Sequence, residues 1–184
     1  MNTPLLARLR SDTASRHAEL DGLVGLALLR SRESYSSFLQ ASLRAVRGLE
    51  QQIEEKLGAE DFPALRAALL GEDLAALGAD ARDSQPSGAP AISLPSLAAA
   101  WGAAYVIEGS ALGGQVLAGR VRTALGEDIS TRYLSFRGSE TGARWRWFLA
   151  RLTAFCERAR DANAADEASG AAVQAFDLYL GALR

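Results

Sequence analysis

This chain of 184 residues has one cysteine, one histidine, one methionine and one lysine. With Cys156 alone, neither an intramolecular disulfide nor a thiolate metal cluster can form. With His17 alone, zinc, copper or iron sites that need several nitrogen or sulfur ligands are disfavoured. There is no excess of basic charge: the formal net charge is −2 and the sequence pI is about 5.5. Nucleic acid is therefore not an expected partner. No apolar run is long enough and free enough of charge to cross a membrane. The N-terminal MNTPLLARLRSDT lacks the apolar core and cleavage region of a signal peptide, so a cytoplasmic location and no membrane association are expected. No alternation of β-branched residues and no internal repeat is evident.

What is present is helical. Hydrophobic residues make up 48% of the chain, enough for a packed core at this length, and they recur with a period near 3.6. Thr3 and Pro4 predict a cap and first turn opening a first helix, which Gly22 and Gly25 end or bend. Ser31 caps a second helix with the stripe Tyr35, Phe38, Leu39, Leu43, Val46, Leu49, Ile53 and Leu57, and Gly58 stops it. A third helix is expected over about 63–77. The segment 80–95, rich in Pro, Gly and Ser, reads as a loop inside one domain spanning 1–184, because the apolar faces on either side look incomplete alone. A long helix follows over about 95–125. Another starts near Glu140 with Trp145, Phe148, Leu149, Leu152, Phe155, Cys156 and Ala159 on its stripe. A last one covers about 167–183 with Val173, Phe176, Leu180 and Leu183. The expectation is an all-α fold of six to eight helices.

Two segments carry chemistry. In Leu9-Arg-Ser-Asp-Thr-Ala-Ser-Arg-His17-Ala-Glu-Leu-Asp21, Asp21 lies one helical turn after the histidine and Arg10 two turns before it, all on one face. This spacing suits an axial metal ligand with a carboxylate on its second nitrogen and a cation for an anionic ligand group. It equally suits a surface histidine paired with Asp21, which spacing alone favours. A haem is the metal group that needs only one protein ligand. The second segment is Tyr105-Val-Ile-Glu-Gly-Ser-Ala-Leu-Gly-Gly-Gln115. Gly109, Gly113 and Gly114 fall inside a helix, where each costs about 1 kcal/mol relative to alanine. Either Gly109 and Gly113 let another helix pack closely, or they let bare backbone lie against a flat ligand. A candidate axial ligand on another helix favours the flat ligand.

Leu9-Arg10 through His17-Ala18-Glu19-Leu20-Asp21, Glu108-Gly-Ser-Ala-Leu-Gly-Gly-Gln115 and Glu140-Thr-Gly-Ala-Arg-Trp-Arg-Trp-Phe148 together resemble the heme oxygenase family, in its bacterial biliverdin-producing branch. The resemblance covers nearly the whole chain. It implies a multi-helix heme-oxygenase-like fold and an enzyme that opens haem b, at once substrate and cofactor, with O2 and electrons to biliverdin, carbon monoxide and ferrous iron. It implies that His17 is the proximal ligand of the haem iron, that Asp21 hydrogen-bonds the imidazole, and that Arg10 and Arg146 contact the haem propionates, with Arg144 as a competitor of Arg146. Gly109 and Gly113 would form the distal helix. Ser110 stands where many members carry an aspartate and would help order distal water. Tyr133 and Phe136 fit either a haem edge or an ordinary core, Phe136 better the core.

No strand–turn–helix with a glycine-rich turn is present to bind a nucleotide. Electrons are therefore expected from an external donor, a ferredoxin or flavoprotein reductase, docking where Arg10, Arg16 and Arg146 form a basic patch. Solvated surface arginine explains that patch as well, above all at Arg16. A biliverdin-using photoreceptor is one candidate consumer of the product, and a monomer is the default state. Two other readings stay open: a non-catalytic haem carrier or sensor on the same fold, which Ser110 would suit, and an all-α interaction protein in which His17–Asp21 is a surface pair.

Overall fold

The computed structural model describes residues 4–27, 31–79, 92–159 and 163–184. Among the described residues there are six α-helices and no strand: α1 (Pro4–Ala27), α2 (Arg32–Leu57), α3 (Arg66–Ala76), α4 (Leu97–Leu125), α5 (Thr141–Arg158) and α6 (Ala164–Leu183). A connector over 126–137 and a short 3-10 turn, Gly138–Glu140, join α4 to α5. Most of the expected loop, residues 80–91, lies outside the described residues, as does Thr3.

Local chemistry sets several helix ends where the sequence predicts them. Ser31 forms a reciprocal capping box with Ser34, accepting from its N–H at 3.2 Å while Ser34 Oγ accepts from Ser31 N–H at 3.0 Å. Gly58, at φ +84°, closes α2. Ser96 caps α4 by accepting from Ala99 N–H at 3.1 Å and donates to Glu167 at 2.5 Å, tying the start of α4 to α6. Elsewhere the reading shifts. Gly22 and Gly25 neither end nor visibly break α1, which runs on to Ala27; Val24 between them is buried, so tertiary packing outweighs the glycine cost. Helix α3 starts at Arg66, and α6 starts at Ala164, before Glu167.

Helix α4 is the axle. Every residue from Ala98 to Ala104 is buried, the all-round burial of a helix enclosed by its neighbours. Small residues permit that enclosure. At Gly102 a Cβ would stand 1.9 Å from the carbonyl oxygen of Ala168, so α4 and α6 cross backbone to backbone. On α6 the facing stripe is alanine: Ala164, Ala168, Ala171, Ala172 and Ala175 are all buried. Further along α4, a Cβ on Gly114 would stand 2.7 Å from the Leu134 carbonyl, bringing the connector equally close. Helix α5 covers α4 with an aromatic ladder in which Trp101 lies 5.4 Å from Phe148, and Trp145 stacks on Phe148 at 5.8 Å.

The connector is irregular but pinned. The fully buried Asp73 of α3 accepts from Ser130 Oγ at 2.6 Å and from the backbone N–H groups of Arg132 and Tyr133 at 3.0 and 2.9 Å. Tyr35 donates to the Ser130 carbonyl at 2.9 Å, and Arg122 donates to Thr131 at 2.6 Å. Together these bonds fix where Tyr133 and Phe136 stand. Helices α1 and α6 run side by side in the same direction along a seam of polar pairs: Arg8–Asp166, Ser169–Asp12, Arg16–Asp177 and Arg184–Glu19.

Two glycine substitutions separate these roles. Gly102→Ala is expected to lower stability by about 3 kcal/mol, because backbone must move. Gly119→Ala, where a Cβ meets nothing within 4 Å, is expected to raise it by about 0.5–1 kcal/mol. Chemical denaturation of the two variants measures both.

Candidate functional site

Helix α1 changes character along its length. Leu5, Leu6, Leu9 and Thr13 are buried, and then no residue is buried again until Val24. Opposite that stretch, α4 also loses its all-round burial after Glu108: Ser110, Leu112 and Gly113 are exposed. The two helices stand apart there over a cavity of about 410 Å³, within the usual range for a small-molecule site. Helices α2 and α6, Arg66 of α3, Trp145 of α5, and the connector complete its walls.

His17 is on the α1 wall. Its Nδ1 lies 3.0 Å from Asp21 Oδ2, and the two side chains are 63% and 71% exposed. The carboxylate accepts the Nδ1 proton and so makes Nε2 the unprotonated nitrogen of the neutral ring, the form that ligates metals. The imidazole meets Phe176 edge-on, with centroids 5.8 Å apart, which limits its rotation from the α6 side. Arg10 is exposed on α1 and reaches the Tyr105 hydroxyl; Tyr105 lines the cavity and Arg10 does not.

Four of the five glycines of α4 divide into two kinds. Gly102 and Gly114 meet neighbouring backbone. Gly109 and Gly113 line the cavity; a Cβ on Gly113 would meet nothing within 4 Å, and one on Gly109 would touch only the Trp145 ring at 3.4 Å. Close helix packing therefore explains the first pair, and the second pair leaves bare backbone toward open space. Ser110 lines the same wall, with its hydroxyl donating back to the Ile107 carbonyl at 2.8 Å.

Tyr133 and Phe136 both line the cavity. Phe136 is held between two guanidinium groups, 4.9 Å from Arg66 and 4.6 Å from Arg137. Arg146 is exposed on α5 and outside the cavity lining, where its neighbour Trp145 stands instead. Arg144 is turned into the protein toward Glu108 at 3.7 Å and donates to the Asp61 carbonyl. Arg16 pairs with Asp177 at 2.6 Å.

Sequence reasoning missed the buried charge behind α4. Glu108, next to Gly109, is 2% exposed and lies 3.2 Å from Arg66, which is 1% exposed and lines the cavity. A signal was available: Arg66 and Asp73 share the buried face of α3 with Leu70 and Leu74, at a period of 3.6. Charged residues on an apolar stripe need partners. No group of three or more His, Cys, Asp or Glu side chains is placed to hold a metal ion among the described residues.

A heme oxygenase from Neisseria meningitidis, solved in NO- and CO-bound forms, is similar in structure. The TM-score is 0.79 and the sequence identity 24%, over 98% of this chain and 90% of that one. The chain has the heme oxygenase fold. No protein-family model matches the sequence, and no curated protein matches it. No described helix is long and apolar enough to cross a membrane.

The His17–Asp21 pair is directly testable because the chain has a single histidine. In Asp21→Asn the neutral imidazole is expected to shift from the Nδ1–H toward the Nε2–H tautomer, seen in its nitrogen chemical shifts. Shifts identical to wild type would show that Asp21 does not set the tautomer.

Proposed function

We propose that this protein is a heme oxygenase, binding haem through His17 and opening the ring with O2 and electrons to biliverdin, carbon monoxide and ferrous iron. The observation that carries this reading is a histidine with its Nδ1 engaged by a carboxylate, lining one mainly apolar cavity with two helix glycines that leave bare backbone. The fold shared with a heme oxygenase supports it.

The residues suit a flat iron-bearing ligand. His17 offers one neutral nitrogen, and Asp21 orients the ring. Gly109 and Gly113 keep side chains out of the space beside α4, where a ligand plane needs it. When bound, the haem supplies the iron that takes up O2 and the ring that is oxidised. The chain's own work is to bind, orient and limit water. Ser110 Oγ spends its proton on Ile107 but keeps acceptor lone pairs, so it can hold a water through that water's proton. Arg10 acts on the site through Tyr105, which is half-buried and whose pKa burial pushes up, keeping the phenol protonated. Arg146, on the outer face of α5, is available to a propionate or to an electron-donor protein such as a ferredoxin or flavoprotein reductase.

A second reading, a haem carrier or sensor without turnover, is favoured by one observation: the Ser110 proton is turned back into α4 and away from the cavity.

Hemin titration of the purified protein tests the reading. Wild type is expected to give a saturable Soret band and His17→Ala a shifted or weakened one; no specific band in wild type overturns both haem readings. Adding O2 and a reductant is expected to yield biliverdin absorption, whereas haem bound without biliverdin selects the carrier. Ser110→Ala is expected to slow biliverdin formation severalfold with hemin affinity retained. Asp21→Asn is expected to cost about tenfold in activity through ligand orientation. Wild-type rates in either variant would remove that residue's role.

A further inference from the structure

Glu108 closes the sealed half of α4, and it is a carboxylate only 2% exposed. Three guanidinium groups from three elements converge on one of its oxygens, Oε1: Arg66 of α3 at 3.2 Å, Arg137 of the connector at 3.6 Å and Arg144 of α5 at 3.7 Å. The surrounding charge is balanced, because Glu50 faces Arg66 and Glu140 faces Arg137. The cluster therefore needs no bound ion. A buried ion pair adds little net stability over apolar side chains of the same size, and its best-attested use is to specify one arrangement among several.

The cations are themselves held in place. Glu50 accepts from the backbone N–H groups of Arg66 and Ala67 at 2.9 and 2.7 Å, which fixes the first turn of α3. The Arg66 guanidinium lies 5.0 Å from the Phe62 ring and 4.9 Å from that of Phe136. Arg144 donates to the Asp61 carbonyl and lies 4.0 Å over the Trp147 ring. Glu108 thus meets a frame built by α3, the connector and α5, and α4 must keep one rotation to reach it. Apolar contacts are non-directional and fix that angle less closely. At 3.6 residues per turn, Gly109 and Gly113 lie about 100° and about 140° around the helix from Glu108. They are the residues that this rotation turns to the cavity. The helix has little else to grip there: Ser110, Leu112 and Gly113 are exposed, and a Cβ on Gly113 meets nothing within 4 Å.

We propose that Glu108 is a positioning residue, whose contact with Arg66 sets the rotation of α4 and so turns Gly109 and Gly113 to the cavity. The placement belongs to the ligand-free protein; its consequence for ring opening rests on the haem reading above. Backbone hydrogen exchange, followed by NMR on the ligand-free protein, tests the placement. In Glu108→Gln, which keeps the shape and removes the charge, Gly109 and Gly113 are expected to exchange about tenfold faster, while residues 101–104 exchange as in wild type. Glu108→Asp, which keeps the charge and withdraws it by one methylene, is expected to act on the same two amides to a smaller extent. It decides alone should Glu108→Gln fail to fold. Wild-type exchange at both glycines overturns the proposal. So does an equal acceleration at 101–104, since a loss of stability alone speeds the whole helix. In the hemin-loaded protein, the C–O stretching frequency of the CO complex is expected to shift in Glu108→Gln with His17 ligation kept; an unshifted frequency overturns the consequence for the ligand. Should wild type bind no hemin, the haem reading falls and the amide result still decides the placement.

Discussion

The carbonyl oxygen of Ala168 stands where a side chain on residue 102 would begin, and the architecture follows from that contact. Backbone-to-backbone packing at Gly102 fixes how deep α4 sits against α6. That depth lets α2 and α5 close over α4 and enclose Ala98–Ala104 on all sides. Helix α6 in turn carries Phe176 and Tyr179 to the cavity and pairs with α1 along a polar seam. The exposed members of that seam each contribute little, up to about 1 kcal/mol. Their geometric effect is larger: they hold the surface side of α1 to α6 while its second half stands off from α4.

The same helix therefore does two different jobs. Its first half is sealed core, and its second half is one wall of a cavity. The change comes at Glu108. A buried carboxylate among three guanidinium groups contributes little net stability, since desolvation offsets attraction, but removing one partner of such a pair costs about 3–5 kcal/mol. The cluster therefore acts chiefly to lock the rotation of α4. With Glu108 turned toward Arg66, the next residue, Gly109, and Gly113 one turn on are presented to the cavity. Arg137 pays for its place in this cluster with a left-handed backbone, φ +66°, which is uncommon outside glycine.

The cavity consequently has a divided chemistry. At α1 it offers a single oriented imidazole, exposed and free of neighbouring ligand side chains, among apolar walls. At its buried end it offers hydrogen-bond donors and a cation. The flat ligand with one metal proposed above suits the first. The connector serves both ends, since Asp73 fixes the backbone of Tyr133 through two N–H bonds.

Much of this was legible in the chain. The all-α class, the capping at Ser31, the stop at Gly58 and the apolar stripes of α2 and α5 depend on residues within a turn or two of one another, where period and cap chemistry act directly. The His17–Asp21 contact is likewise one helical turn and was readable from its spacing. Gly22 and Gly25 do not end α1, because the burial of Val24 carries the helix onward, and burial depends on distant chain. The four glycines 102, 109, 113 and 114 are the same residue in the same helix; local sequence cannot say which meets a carbonyl and which meets space. Arg66, Ser42, Tyr179 and Trp145 come to the cavity from four helices, so no spacing along the chain links them. The sequence by itself determined the helices, their caps and the oriented histidine, because those are local physics. The tertiary structure alone decided which glycines open the cavity and which charges are buried behind it, because those follow from where separate helices cross.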